Sequence, residues 1–226
     1  MDVPRPEPRA DELLVRVHAS SINSWDWEYL NGTPFINRLM FGLFKPKRGK
    51  QRLGADIAGT VEAVGRDVTR FQPGDEVFGD LWDKWGGFAE FACTDEIAVE
   101  RKPGNLSFEE AAGVPQAGVL ALQALRRVGQ INPGDEVSIN GAGGGVGTFA
   151  IQLAKLFGAE VTGVDAAHKL DAVRDVGADH VIDYALRDFT STGDSYDLIV
   201  DCQGTRPMSS IMRALKPCGT YAVVGA

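Results

Sequence analysis

Residues 136–165 read EVSINGAGGGVGTFAIQLAKLFGAEVTGVD. The stretch opens with a short apolar strand, Val137 to Asn140, and turns through Gly141 to Gly147, where five of seven residues are glycine. A helix from about Val146 to Phe157 follows, then a second strand ending at Val164, with Asp165 after it. Strand, glycine turn, helix, strand and terminal acid form the context that a dinucleotide fingerprint requires. The motif is A-x-G-x-x-G through Ala142, Gly144 and Gly147, with alanine where the common form has its first glycine. Gly144 lets the backbone approach a pyrophosphate, and Gly147 lets the helix lie close to the strand. The N–H groups at the helix start, at Gly145 and Val146, hold phosphates with the help of the helix dipole. A glycine-rich helix start without a ligand would explain one glycine, but not five.

Asp165 lies eighteen residues after Gly147. A carboxylate at that strand end hydrogen-bonds the adenosine ribose hydroxyls and repels a 2′-phosphate, which favours NAD(H). Lys169 pulls the other way, because its ammonium can meet that phosphate. The plainer reading of Lys169 is a solvated first-turn lysine. Asp165 has a competing use as the N-cap of the helix KLDAVRDVG. Tyr184, just after the strand HVID, falls at the carboxyl edge of the sheet, where ligands bind, and is placed to pack near an adenine.

Outward from this stretch the chain has two styles, which meet near residue 106. After it, strands and helices alternate: helix, break at Pro115 and helix within residues 107–129, then EVSIN, EVTGVD, HVID, YDLIVDC and GTYAVVG as strands with helices between. Ser107 and Glu110 have the spacing of a capping box, and Gly158 and Gly177 stand where helix C-caps belong. Alternation of this kind implies a parallel sheet wrapped on both faces. Five strands are countable where a complete doubly wound domain has six, so the sheet is expected to be incomplete at the C-terminus. Before residue 106 the signals are short strands and turns: Leu13 to Ser20, Ile57 to Val64, a Pro73–Gly74 turn into a strand through Val77, FAEFACT and EIAVE. The expectation is a small β-rich domain over 1–106 and a nucleotide-binding domain over 107–226.

Composition narrows the function. The 226 residues carry a net charge of -8, which disfavours a nucleic-acid partner held through phosphates. The basic run Lys45, Lys47, Arg48, Lys50 and Arg52 reads as a solvated loop. The apolar runs are too short to span a bilayer, and the first twelve residues lack the apolar core of a signal peptide. Three widely spaced cysteines, Cys93, Cys202 and Cys218, suggest neither a disulfide framework nor a metal site. A cytoplasmic protein without metal is expected.

The segments ASSINSWDW, GADIAGTVEAVG, FQPGDEVFG, GGFAEFA, AAGVPQAGVLALQAL, INGAGGGVG and GADHVIDY occur in this order from residue 19 to residue 184. In them the chain resembles the zinc-independent quinone oxidoreductases of the medium-chain dehydrogenase/reductase superfamily. The resemblance implies an α/β protein: a GroES-like domain lacking its first strand, then a Rossmann domain lacking its sixth strand and the C-terminal return segment. It also implies hydride transfer from NADPH to a quinone, enone or related carbonyl compound, and a homodimer in a full-length form. NADP(H) is thereby slightly favoured over NAD(H), against the reading of Asp165. Zinc-dependent members carry cysteine and histidine where this chain has Asn23 to Trp25, and G-H-E where it has Gly54, Ala55 and Asp56. Leu120 replaces a small polar residue, often threonine, that lies close to the cofactor in the family.

Asn23 matches the asparagine near the nicotinamide in similar enzymes. Its amide offers both donor and acceptor to orient cofactor or substrate carbonyl; otherwise it is a loop asparagine satisfying its own backbone. Tyr29, in the same loop as Asp26, is a candidate to line the site or donate a proton. Pro115 and Gln116 stand at the helix break, where similar enzymes approach the nicotinamide. Trp25 and Trp27 read as wall or core, and His18 as a satisfied structural histidine. The alternative to a reductase is a nucleotide-binding protein of the same fold with little or no turnover.

Overall fold

The computed structural model describes residues 4–31, 52–82 and 84–225, apart from the side chain of Tyr29. The basic residues Lys45, Lys47, Arg48 and Lys50 lie outside the described residues. Two compact units divide between Gln116 and Ala117.

In the first unit, alternation in ELLVRVHAS makes strand β1, Glu12–Ser20, and four further strands follow: β2 (Asp56–Val64), β3 (Glu76–Asp80), β4 (Phe91–Asp95) and β5 (Val99–Arg101). They form one antiparallel sheet in the order β4-β1-β2-β3-β5. Alternate residues Leu13, Val15, Ile57, Val61, Val77, Ala92 and Val99 point into a core with Phe71 and Leu81. Each large side chain so buried contributes about 1.5–3 kcal/mol. At the Pro73–Gly74 turn, Gly74 takes φ +97°, and its N–H donates to Val61 O at 2.9 Å.

Two expectations are corrected here. The segment after Asn23 is helix α1, Ser24–Asn31, and not a loop. Asp26, at the third helical position, reaches back to the Asn23 N–H at 2.9 Å, which is the acidic half of a capping box. The unit boundary also lies beyond residue 106. Helix α2, Phe108–Ala112, carries the full Ser107–Glu110 capping box and presses Ala111 and Ala112 against Ala58 of β2. That burial ties residues 107–116 to the first unit.

Helix α3, Pro115–Leu122, begins just before the boundary and continues through a π-helical turn, Gln123–Val128. The second unit holds β6 (Glu136–Asn140), α4 (Gly145–Leu156), β7 (Glu160–Asp165), α5 (Leu170–Asp175), β8 (His180–Asp183), β9 (Tyr196–Asp201), α6 (Met208–Ala214) and β10 (Leu215–Val223). The sheet is parallel throughout, in the order β10-β9-β6-β7-β8. Strand order reverses between β6 and β9, the switch point at which α/β sheets bind ligands. One face packs Ala121, Leu125, Ala150, Ile151, Ala154 and Val173 of the helices on Val137, Ile139, Val161 and Leu198. The other packs Phe189, Ile211 and Ala214 on Val164, Tyr196 and Ile199. Gly158 and Gly177 end α4 and α5 at φ +85° and +111°, as their sequence positions imply.

Helix α4 meets the end of β6 at Gly147, where an added Cβ would drive into the carbonyl oxygens of Gly141 and Ala142. Gly147→Ala is therefore expected to destabilise the chain by about 1–3 kcal/mol, read as a lower denaturant midpoint.

Surface pairs tie the strand starts. Burial pushes the Asp179 carboxyl up, but the Lys155 ammonium at 2.7 Å and the Val161 N–H at 2.7 Å outweigh it and hold the acid below the usual range. Burial acts likewise on Asp197, outweighed by Lys216 and the Glu136 N–H, both at 2.8 Å. Folded pKa values below the unfolded ones give stability that is complete above the unfolded value and lost as pH falls through the folded value. The melting temperature is expected to drop as pH is lowered below about 4, with a shallower slope in Asp179→Asn.

Candidate nucleotide site and buried-acid loop

In the second unit, the turn after β6 is closed by its own backbone. The Gly141 and Ala142 N–H groups both donate to Val164 O, at 2.9 and 3.1 Å, and the Gly144 N–H to Gly141 O at 3.1 Å. Gly141 takes φ +87°, and Ala142 is fully buried. Gly144 is extended at the N-cap, and the first intrahelical bond runs from Thr148 N to Gly144 O at 3.0 Å. The amides of Gly145, Val146 and Gly147 precede that bond and point out of the helix start. Around Gly144 and Gly145 the nearest atoms to an added Cβ are 3.3 and 3.7 Å away. Backbone there is open to a phosphate in the way the sequence pattern requires.

Asp165 ends β7 and is 6% exposed. Its Oδ2 accepts the Gly143 N–H at 2.7 Å, its Oδ1 accepts the Ala166 N–H at 2.7 Å, and Lys169 Nζ stands 3.7 Å from Oδ1. It does not cap the following helix: the residue at the N-cap of the 3₁₀ turn 167–169 is Ala166, with no side-chain cap. The acid instead braces the glycine turn, because the Gly143 N–H faces it across the strand ends. The aliphatic part of Lys169 lies along Gly143, where a Cβ would come within 2.8 Å of it. The Tyr184 N–H donates to Asp165 O at 3.2 Å, and its ring is half exposed. Ala142, Gly144, Gly145, Val146, Gly147, Asp165, Lys169 and Tyr184 are thus brought to one edge of the sheet. Leu120 is half-buried against the helix-side core.

One group at this edge was not foreseen. Asp201, at the end of β9, is fully buried. Its Oδ1 accepts from Asn140 Nδ2 and from the Gln203 and Gly204 N–H groups at 2.9, 2.9 and 3.0 Å, and its Oδ2 from the Tyr221 hydroxyl at 2.8 Å. The acid knits the ends of β6, β9 and β10 beside Gly141. Burial pushes the neighbouring Cys202 thiol up to about 12, so it is no nucleophile at neutral pH. An acid closing the apolar run YDLIVD was the available signal.

In the first unit, Asn23 and Pro115 meet through a second buried acid. Asp56, at the start of β2, is fully buried. Its Oδ2 accepts from Ser21 Oγ at 2.8 Å and Asn23 Nδ2 at 3.0 Å, and its Oδ1 accepts the Gln116 N–H at 3.1 Å. Pro115 fills the first helical position of α3, where no N–H is needed, and Asp56 takes the orphan amide of the next residue. Burial raises the Asp56 pKa; the three hydrogen bonds oppose this, and the nearby Asp26 charge adds to it. Asp26 is 2% exposed and holds the Gly54 N–H at 2.8 Å as well as that of Asn23. The Asn23 side chain therefore serves Ser21 and Asp56 and not its own backbone.

Trp25 stands edge-on to Trp82 with centroids 4.9 Å apart, while Trp27 is 65% exposed and belongs to no core. His18 bonds Thr60 Oγ1 at 3.0 Å and packs on Phe108, the structural place expected for it. The Tyr29 side chain lies outside the described residues. Among the described residues no three His, Cys, Asp or Glu side chains are grouped to hold a metal ion, and no helix is long and apolar enough to cross a membrane. The Asp56 cluster does not fit zinc. It offers one carboxylate already filled by proton donors, with neither thiolate nor imidazole.

Two families match the chain: the alcohol dehydrogenase GroES-like domain over residues 9–124 and the zinc-binding dehydrogenase family over residues 145–226. A chloroplastic quinone-oxidoreductase, QR1 of Triphysaria versicolor, is 34% identical over 92% of this chain and 64% of its own length. The quinone oxidoreductase of Coxiella burnetii superposes with a TM-score of 0.86 at 33% identity, over 97% of this chain and 68% of that one. The CurK enoyl reductase superposes at 0.87 with 27% identity, over all of this chain and 69% of that one. The chain thus spans a little under two thirds of the QR1 relative. Matched over both units, it belongs to the quinone oxidoreductases of the medium-chain dehydrogenase/reductase superfamily.

Proposed function

We propose that the chain works as an NADPH-dependent reductase of quinones, enones or related carbonyl compounds, without a metal. The observation that carries the reading is the open glycine turn at the β6–β9 switch point, with helix-start amides at Gly145, Val146 and Gly147 that find no acceptor among the described residues and Gly147 admitting close helix packing. The names of its relatives, quinone oxidoreductases and an enoyl reductase, support the class of substrate. When bound, the cofactor supplies a hydride, which needs neither a nucleophile nor a metal from the protein. The chain's own part is to bind and orient. The amides of Gly145 and Val146 take the pyrophosphate, Tyr184 offers a half-exposed ring to the adenine, and Asn23 holds a ligand polar group. Cytosolic residence belongs to the same reading and rests on three free thiols, Cys93, Cys202 and Cys218.

The preference for NADPH rests on how Asp165 is used. Two backbone amides and Lys169 already face its oxygens, so much of its charge is answered inside the protein. The Lys169 ion pair is long, and its side chain is 42% exposed. Such a pair is weak, so the ammonium can turn to a 2′-phosphate at little cost.

Saturable oxidation of NADPH with a small quinone, above the no-enzyme rate, is the expected result in steady state. Cofactor binding with no turnover across a panel of quinones and enones would instead favour a nucleotide-binding protein. Lys169→Ala is expected to weaken NADPH by about ten- to a hundredfold, the scale of one charge-assisted hydrogen bond, and to leave the NADH dissociation constant nearly unchanged. Equal loss for both cofactors would remove Lys169 from the phosphate and the preference with it.

A further inference from the structure

Asp56 has no chemical role in the reductase reading, yet it is fully buried and makes three hydrogen bonds to groups of the candidate site. A carboxylate only accepts, so the end of the Asn23 amide that faces Asp56 Oδ2 at 3.0 Å is its NH₂. The second Nδ2 proton has Ser21 Oγ at 3.3 Å. That oxygen is free to accept, because the Ser21 hydroxyl spends its own proton on Asp56 at 2.8 Å. The usual ambiguity of an amide orientation is thereby removed by the chemistry of its partners. Both donors of the side chain are placed, and among the described residues nothing donates to Asn23 Oδ1. The main chain of Asn23 is held independently, by Asp26 Oδ2 at 2.9 Å. Asp26 is in turn anchored to the Gly54 N–H, two residues before Asp56.

We propose that Asp56 is a positioning residue that sets the polarity of Asn23, so that its carbonyl oxygen faces a ligand group bearing an O–H or N–H donor. The proposal deepens the reductase reading and rests on it. Asn23 then does not polarise a substrate carbonyl, which would need a donor. It accepts instead from a proton-bearing group of the substrate or product, such as the hydroxyl of a reduced quinone. The same carboxylate holds the Gln116 N–H at 3.1 Å, so one buried acid sets both Asn23 and the first turn of α3.

In Asp56→Asn the one remaining oxygen stays on the Gln116 N–H, the partner that can only donate, and the new NH₂ faces Ser21 and Asn23. Asn23 then turns over to accept from it, presenting its own NH₂ outward. The expected result is a loss of about ten- to a hundredfold in kcat, the scale for a displaced orienting group, with little change in melting temperature. The exchange variant Asn23→Asp/Asp56→Asn keeps the charge and the hydrogen bond and restores an outward oxygen. It is expected to recover most of the loss, whereas a merely structural Asp56 would leave both variants equally impaired. A kcat for Asp56→Asn within about twofold of the parent, or a double variant no better than the single one, would overturn the proposal. Product inhibition by the quinol is expected to weaken in Asp56→Asn and to return in the double variant; unchanged inhibition in Asp56→Asn would overturn the proposal. A readout independent of turnover is hydrogen exchange of the Asn23 side-chain amide, followed by NMR in the unmutated protein. Slow exchange that Asp56→Asn makes fast supports the proposal even where no quinone is reduced, a result that would sink the reductase reading alone. Exchange at the free rate in the unmutated protein overturns the proposal whatever the turnover.

Discussion

Between α4 and the end of β6 there is no room for a side chain, and Gly147 is the residue that meets this constraint. The close approach brings the first turn of α4 down onto the strand. Its unpaired amides then converge at the carboxyl edge of the sheet, where the helix dipole and the N–H groups act on the same point. With β6 central and β7 and β9 on either side, that point is also the switch in strand order. A larger residue at this position would lift the helix, move the amides and open the core between Ala150, Ile151 and Val161. In the second unit the seat of α4 on the end of β6 depends on one missing methyl group.

Around that frame, buried carboxylates hold the loops. Asp26, Asp56, Asp165 and Asp201 are each less than a tenth exposed, and each accepts from at least two N–H or O–H donors. A charge-assisted bond to a backbone amide is about twice as strong as a neutral one. A buried charge that loses its partners costs about 3–5 kcal/mol. Each acid therefore commits its loop to one arrangement. Every one of them stands at a strand end or in the first turn of a helix, so the loops take their positions from regular structure. Asp56 shows the tension in such a design. Burial and the Asp26 charge press toward its neutral form, while Ser21, Asn23 and Gln116 favour the carboxylate.

The thiols and the acids divide the chemistry clearly. Burial raises the pKa of both Cys93 and Cys202, which makes them poor nucleophiles. The carboxylates are occupied as acceptors. Each unit has its own polar groups to offer: in the second, helix-start amides that find no acceptor among the described residues and the part-exposed Lys169 ammonium; in the first, one amide oxygen, on Asn23. Groups of this kind orient polar partners without bonding to them covalently.

Much of this was legible in the sequence. Strand periodicity, the glycine turn, the capping box at Ser107 and the C-cap glycines are local signals, carried by residues that stand near one another in the chain. They occur where the pattern placed them except at EIAVE, where Glu96–Ala98 form a 3₁₀ turn and the strand is only Val99–Arg101. The five parallel strands followed from alternation of strand and helix alone. The functions of the acids were not legible. A carboxylate's role depends on which donors face it, and those donors lie 22 residues away for Asp165, 33 and 60 for Asp56, and 61 for Asp201. The segment after Asn23 reads as loop in sequence because its helix depends on Asp26 turning back to one amide. The boundary near residue 106 missed α2 because only its packing on Ala58 assigns it to the first unit. Local pattern determined which elements form; tertiary structure decided what each polar side chain does, since a hydrogen bond is defined by its partner and the chain brings that partner from far away.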